Sequence, residues 1–170
     1  MNLIKIFVDL CVFQAKPQDL PASPALAMIT GAATIITYII AHQASGQGKG
    51  IVGFAIAQVV IFAFTIWVVL KVKKLPERFP QTISAIFGVS SLIQLVAWPI
   101  LGWLSKTSGT PGAELPVLMI MGLSVWVLAV SVYVMKHALE IGVGQSLLIT
   151  LGCQMLTLFL VFALIGAPSA

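Results

Sequence analysis

Five nearly uninterrupted apolar runs, at positions 24–41, 51–70, 83–104, 115–135 and 143–165, alternate with short polar links. Each run is close to the ~20 residues a helix needs to cross the hydrocarbon of a bilayer. Inside lipid every backbone N–H and C=O must find a partner within the protein, which a helix provides along its own axis. The pattern therefore predicts an all-α integral membrane protein with five transmembrane helices. Short links make consecutive helices antiparallel neighbours, so the expected architecture is an antiparallel bundle.

Residues 1–16 are apolar on most sides, but Lys5 and Asp9 interrupt them. The segment is too short and too charged to span. Leu3, Ile6, Phe7, Leu10 and Phe13 read instead as the face of an interfacial helix that dips into the headgroup boundary, the alternative being a simple extension packed against the bundle. Residues 1–22 thus divide into that helix and a proline-bounded entrance, with the transmembrane domain following at 23–170. Pro17 and Pro21 stop a helix from running through the entrance. Ser23 then serves as an N-cap with Pro24 at the first helical position. Thr82 is the expected N-cap of the third span. Pro99, inside that span, is expected to kink it or to free a carbonyl.

Four spans carry small, hydroxyl or aromatic residues at helical spacing, each set on one face. They are Ala27, Gly31, Thr34 and Tyr38 in the first span, and Ser84, Gly88, Ser91, Leu95, Trp98 and Gly102 in the third. The fourth has Gly122, Trp126, Ala129 and Tyr133, and the fifth Ser146, Thr150, Cys153 and Thr157. Small residues let helices approach closely in lipid, so these faces read as packing seams.

Charge adds an orientation. Residues 71–82 hold Lys71, Lys73, Lys74 and Arg78, four of the nine basic residues. With the amino terminus inside, Lys5, Lys16, Lys71, Lys73, Lys74, Arg78 and Lys136 fall on the inner side, and Lys49 and Lys106 on the outer. Basic residues resist translocation, so this bias predicts N-in and C-out. The 8% of charged residues and mean hydropathy of +1.09 lie far from soluble composition. The net charge of +4 sits beside apolar runs and suits lipid contact, not nucleic acid.

Candidate chemistry is sparse. The predicted spans contain no Asp, Glu, Lys, Arg or His, which argues against an ion-coupled pump. His42 and His137 fall on opposite sides, Cys11 and Cys153 form no pattern, and the five carboxylates give no catalytic pair. The reading is of a non-enzymatic chain without cofactor or metal. Two features remain. Gln58, Gln94 and Gln154 each lie near the middle of a span and form a candidate polar layer, the alternative being ordinary interhelical hydrogen bonds. Asp19, Lys71, Lys73, Lys74 and Arg78 form a candidate partner or lipid face at the inner side, where Asp19 is expected to pair with Arg78 or a loop lysine.

Five spans, the entrance Lys16-Pro17-Gln18-Asp19-Leu20-Pro21 and almost no extramembrane mass resemble Yip1-type membrane proteins and their small bacterial relatives. The stretches Arg78-Phe79-Pro80-Gln81-Thr82 and Ala97-Trp98-Pro99 are similar to small proteobacterial inner-membrane proteins. The signature motif of the eukaryotic Yip1 members is absent, so the resemblance brings over no catalytic or binding residues. The expectation is a scaffold or accessory subunit acting through helix packing and its basic face. Its partners would be membrane lipids and another membrane protein or further copies of itself. The alternative is a carrier or channel for a small polar solute or lipid, running past the glutamine layer.

Overall fold

The structure, a computed structural model, describes residues 3–43, 50–109 and 112–166. Lys49, the rest of the 44–49 link, residues 110–111 and the tail at 167–170 lie outside the described residues. The helices are α1 (Leu3–Cys11), α2 (Pro24–Gln43), α3 (Ile51–Val72), α4 (Phe79–Thr107), α5 (Glu114–Leu139) and α6 (Val143–Ile165). Short 3-10 turns at Pro17–Asp19 and Pro76–Arg78 precede α2 and α4. Among the described residues there is no strand, and α2 through α6 are each long and apolar enough to cross a membrane.

Local chemistry sets the boundaries. Ser23 Oγ accepts the Leu26 N–H at 3.4 Å, the N-cap contact at the start of α2. At the end of α3, Lys74 takes a left-handed conformation (φ 60°). Its N–H bonds Lys71 O at 3.0 Å and that of Leu75 bonds Leu70 O at 2.9 Å, the paired bonds of a Schellman ending. Helix α4 starts earlier than its apolar run suggests, because Pro80 lies in its first turn, where a missing N–H costs nothing. Thr82 is therefore not its N-cap: the Thr82 hydroxyl donates back to Arg78 O at 2.8 Å from inside the helix. The helix also continues through Pro99.

By contact, the long helices close a ring in the order α2, α4, α5, α6, α3 and back to α2. Helix α4 is the hub, packing on α1, α2, α3 and α5. Half of its apolar stretch is buried, against 22–33% in the other long helices. The main partner of α2 is α4, and not the consecutive α3 that its short link suggests. Gly31 lies at this contact, where a Cβ would stand in ordinary van der Waals contact, 3.5 Å from the ring of Phe87. Thr34 then bonds Phe87 O (2.9 Å) and Ser91 Oγ (3.0 Å), and Thr37 donates to Gln94 Oε1 at 2.7 Å. Positions rise together along both helices, so α2 and α4 run parallel.

Helix α1 is seated on the flank of α4 and α5. The Phe7 ring lies over Gly88, where a Cβ would come within 2.3 Å of it, and Leu10 is fully buried. Trp126 Nε1 donates to Cys11 O at 3.0 Å, and the Phe13 ring lies 5.9 Å from Trp126 and 5.3 Å from Tyr133. The opposite edge of α1, with Ile4 and Val8, is exposed. This corrects the reading of the α5 stripe. Gly122, Trp126 and Ala129 face outward, and the aromatic pair packs against the amino-terminal segment instead of a neighbouring span. In α6, by contrast, Ser146, Thr150, Cys153 and Thr157 are all buried.

Candidate functional site

Near the middle of the ring lies a cavity of about 300 Å³ to which all five long helices contribute. Gln58 from α3, Gln94 from α4 and Gln154 from α6 all line it. Around them stand Thr34 and Tyr38 from α2, Ser90 from α4, Ser131 from α5 and Thr157 from α6. Phe62, Ile86 and Phe87 supply apolar wall. The spacing behind this is simple. Ser90 and Gln94 are four residues apart, as are Val127 and Ser131 and also Gln154 and Leu158, so each pair projects from one face of its helix.

The state of the hydrogen-bonding groups sets this cavity apart. Elsewhere the helix hydroxyls mostly turn back to their own backbone: Thr30 donates to Leu26 O, Thr65 to Ile61 O and Ser124 to Ile120 O. Ser146 reaches across to Val132 O at 2.6 Å. Among the described residues lining the cavity, only the side chains of Thr34 and Gln94 are hydrogen-bonded to protein groups. Gln58 Oε1 and Thr157 Oγ1 are buried without a partner. Thr150 and Ser84, away from the cavity lining, share that condition. An unpaired buried amide or hydroxyl costs about 1–3 kcal/mol, and lipid offers no water to relieve it. Five helices thus converge neutral donors and acceptors on one space and leave several unused.

Sequence reasoning missed Ser90 and Ser131. Ser90 was legible as the residue one turn before Gln94, whereas Ser131 lies off the stripe read in α5 and had no comparable signal.

The second candidate, the basic end, is assembled differently from expectation. Asp19 does not meet Arg78: its Oδ2 accepts the Lys16 N–H at 2.7 Å and closes its own turn. Arg78 reaches the other way, donating to Glu140 Oε1 at 2.6 Å and to Ala138 O at 3.1 Å. The planar guanidinium can serve a carboxylate and a helix-terminal carbonyl together, and both stand where α5 ends. Amides tie the entrance of α2 to two helices: Gln81 Nε2 of α4 donates to Leu20 O at 2.8 Å, and Gln18 Nε2 donates to His137 O near the end of α5 at 2.7 Å. Lys71 lies over the Trp67 ring at 4.6 Å, while Lys73 and Lys74 are exposed. Beneath this clamp, Ile66, Leu70, Ile83, Val134, Met135 and Leu139 fill the bundle with apolar side chains.

No protein-family model, curated protein or solved structure matches the chain.

Proposed function

We propose that this protein is a membrane-embedded binding protein or carrier for an uncharged, hydrogen-bonding small molecule, held in the cavity among Gln58, Gln94 and Gln154. The observation that carries the reading is the set of cavity side chains with no protein partner, above all Gln58 Oε1 and Thr157 Oγ1. Binding sites typically combine an apolar wall with a few convergent polar groups. An uncharged lining suits a neutral occupant, because an ion taken out of water here would meet no counter-charge. The amides and hydroxyls hold and orient such a molecule without titrating. In this reading the chain lies N-in and C-out in an antiparallel arrangement in a bacterial inner membrane, with the basic end of Lys71, Lys73, Lys74 and Arg78 against the anionic cytoplasmic leaflet.

The test is mild detergent purification followed by denaturation and mass spectrometry of released small molecules, for the native protein and for Gln58→Leu with Gln154→Leu. A near-stoichiometric compound released by the native protein and absent from the variant supports the reading. Identical profiles from both would overturn it.

A second reading, an accessory subunit acting through the basic end, is supported by the exposure of Lys73 and Lys74 beside the Arg78 clamp. It expects charge reversal at Lys73 and Lys74 to release a co-purifying protein, with cavity substitutions having no such effect.

A further inference from the structure

We propose that the occupant is a bilayer-dissolved amphiphile with an uncharged, hydroxyl-bearing head, and that it reaches the cavity sideways from the lipid along α6. The inference rests on the binding reading above and adds the class of ligand and its route.

The route follows from which walls are closed. Toward the basic end, the lining residues Phe62, Ile86 and Phe87 give way to the buried Ile66, Ile83 and Met135, a continuous apolar fill with no polar path. Toward the other end, aromatic rings bridge the mouth. Tyr38 stacks on His42 at 3.9 Å and on Phe54 at 6.2 Å, and Phe54 meets Phe162 of α6 at 5.6 Å. A lateral edge lies along α6, where Met155 and Leu158 line the cavity and are 62% and 39% exposed. Both lie past the middle of the apolar α6, away from either end of the span, so that edge meets acyl chains and not water.

The ligand class follows from the lining. With no charged group among the lining residues, a phosphate or carboxylate head would be left uncompensated. The buried acceptor Gln58 Oε1 calls for a donor on the ligand, an O–H or N–H, so a head offering only carbonyl oxygens leaves it unpaired. The cavity of about 300 Å³ is about twice the 150 Å³ that takes benzene. It has room for a small hydroxylated head, with the chain leaving past Met155 and Leu158. Diacylglycerols and isoprenoid alcohols have this form.

The experiment uses the full-length protein in phosphatidylcholine vesicles with a diacylglycerol carrying a photoreactive diazirine in one chain. Phosphatidic acid with the same chain serves as the charged counterpart, and crosslinked peptides are mapped by mass spectrometry. The expected result is several-fold enrichment of diacylglycerol label around residues 154–158 over the exposed α3 face at Val60 and Phe64, with no such enrichment for phosphatidic acid. Gln58→Leu should remove most of the enrichment. So should Met155→Trp, which narrows the edge at an exposed position and leaves the core intact. Uniform labelling of the outer surface, or equal labelling by the two lipids, would overturn the proposal. If the purified protein instead retains a water-soluble neutral solute that Gln58→Leu abolishes, binding stands and lateral access fails. If it holds only water and labelling is uniform, both fail.

Discussion

At the scale of single residues, Gly88 and Arg78 carry the most weight outside the cavity. Gly88 is where α1 touches α4, and the Phe7 ring already occupies the space a methyl would need. Gly88→Ala should therefore lift α1 away, at a cost of about 1–3 kcal/mol for overpacking, and Phe7→Ala should restore its seating. Cys11 provides the readout. Partial burial pushes its thiol up from its ordinary value, which keeps the reactive thiolate scarce. Maleimide labelling of Cys11 should be slow in the native protein, faster in Gly88→Ala and slow again in the double variant. An unchanged rate in Gly88→Ala would mean α1 is not held by this contact. At the basic end, the Arg78–Glu140 pair is 25% and 68% exposed, so solvent screens it. Glu140→Gln should cost under ~1 kcal/mol. Arg78→Leu, which also strips a donor from Ala138 O, should cost more in the same unfolding assay, about 1.5 kcal/mol.

At the scale of elements, the α2–α4 seam is the interface to test. Thr34 bonds its own helix at Thr30 O and crosses to Phe87 O and Ser91 Oγ. Thr34→Val preserves shape and removes these bonds. The expected loss is about 0.6 kcal/mol, up to ~1.7, the range for interhelical bonds in membranes. The double variant with Ser91→Ala should show non-additivity, because the two hydroxyls share one bond. The helices themselves were legible, since long apolar runs bounded by Pro, Gly and charge leave little choice. Their neighbours were legible in part. Short links place α2 beside α3, α4 beside α5 and α5 beside α6, as the ring has them, but nothing local to α2 announces that its larger contact is with α4. The same limit explains the misread face of α5. Trp126 and Tyr133 stand at seam spacing, yet their neighbour is a segment more than a hundred residues away.

At the scale of the whole molecule, the ring of five helices surrounds a space whose polar residues could be found only in part. Glutamines stand out in apolar spans, so Gln58, Gln94 and Gln154 were visible in the sequence. Their convergence depends on the order of helices around the ring, which a linear reading does not contain. Nor could it pair Arg78 with Glu140, because exposed charges have several candidate partners and the ring order chooses among them. The ring also divides labour: the basic half is solid apolar packing under an amide and guanidinium clamp, and the cavity lies beyond Phe62 and Phe87. Gln58 and Gln154 stand apart from the α2–α4 seam that Thr34, Phe87 and Gln94 share with the cavity, so substitutions at those two glutamines should leave the fold standing.

That separation makes Gln58 the most direct probe of the central claim, that the cavity keeps polar groups for a ligand and not for the fold. The measurement is the thermal unfolding of native protein and Gln58→Leu, each stripped of lipid in detergent and then resupplied with a total membrane lipid extract. An unpaired buried amide is a liability in the empty protein, so stripped Gln58→Leu should be more stable than native by about 1–2 kcal/mol. Resupply should raise the native protein and leave the variant unchanged, as expected when only one of them binds. A stripped Gln58→Leu less stable than the native protein, with equal gains for both on resupply, would show Gln58 to be part of the scaffold and would contradict the account.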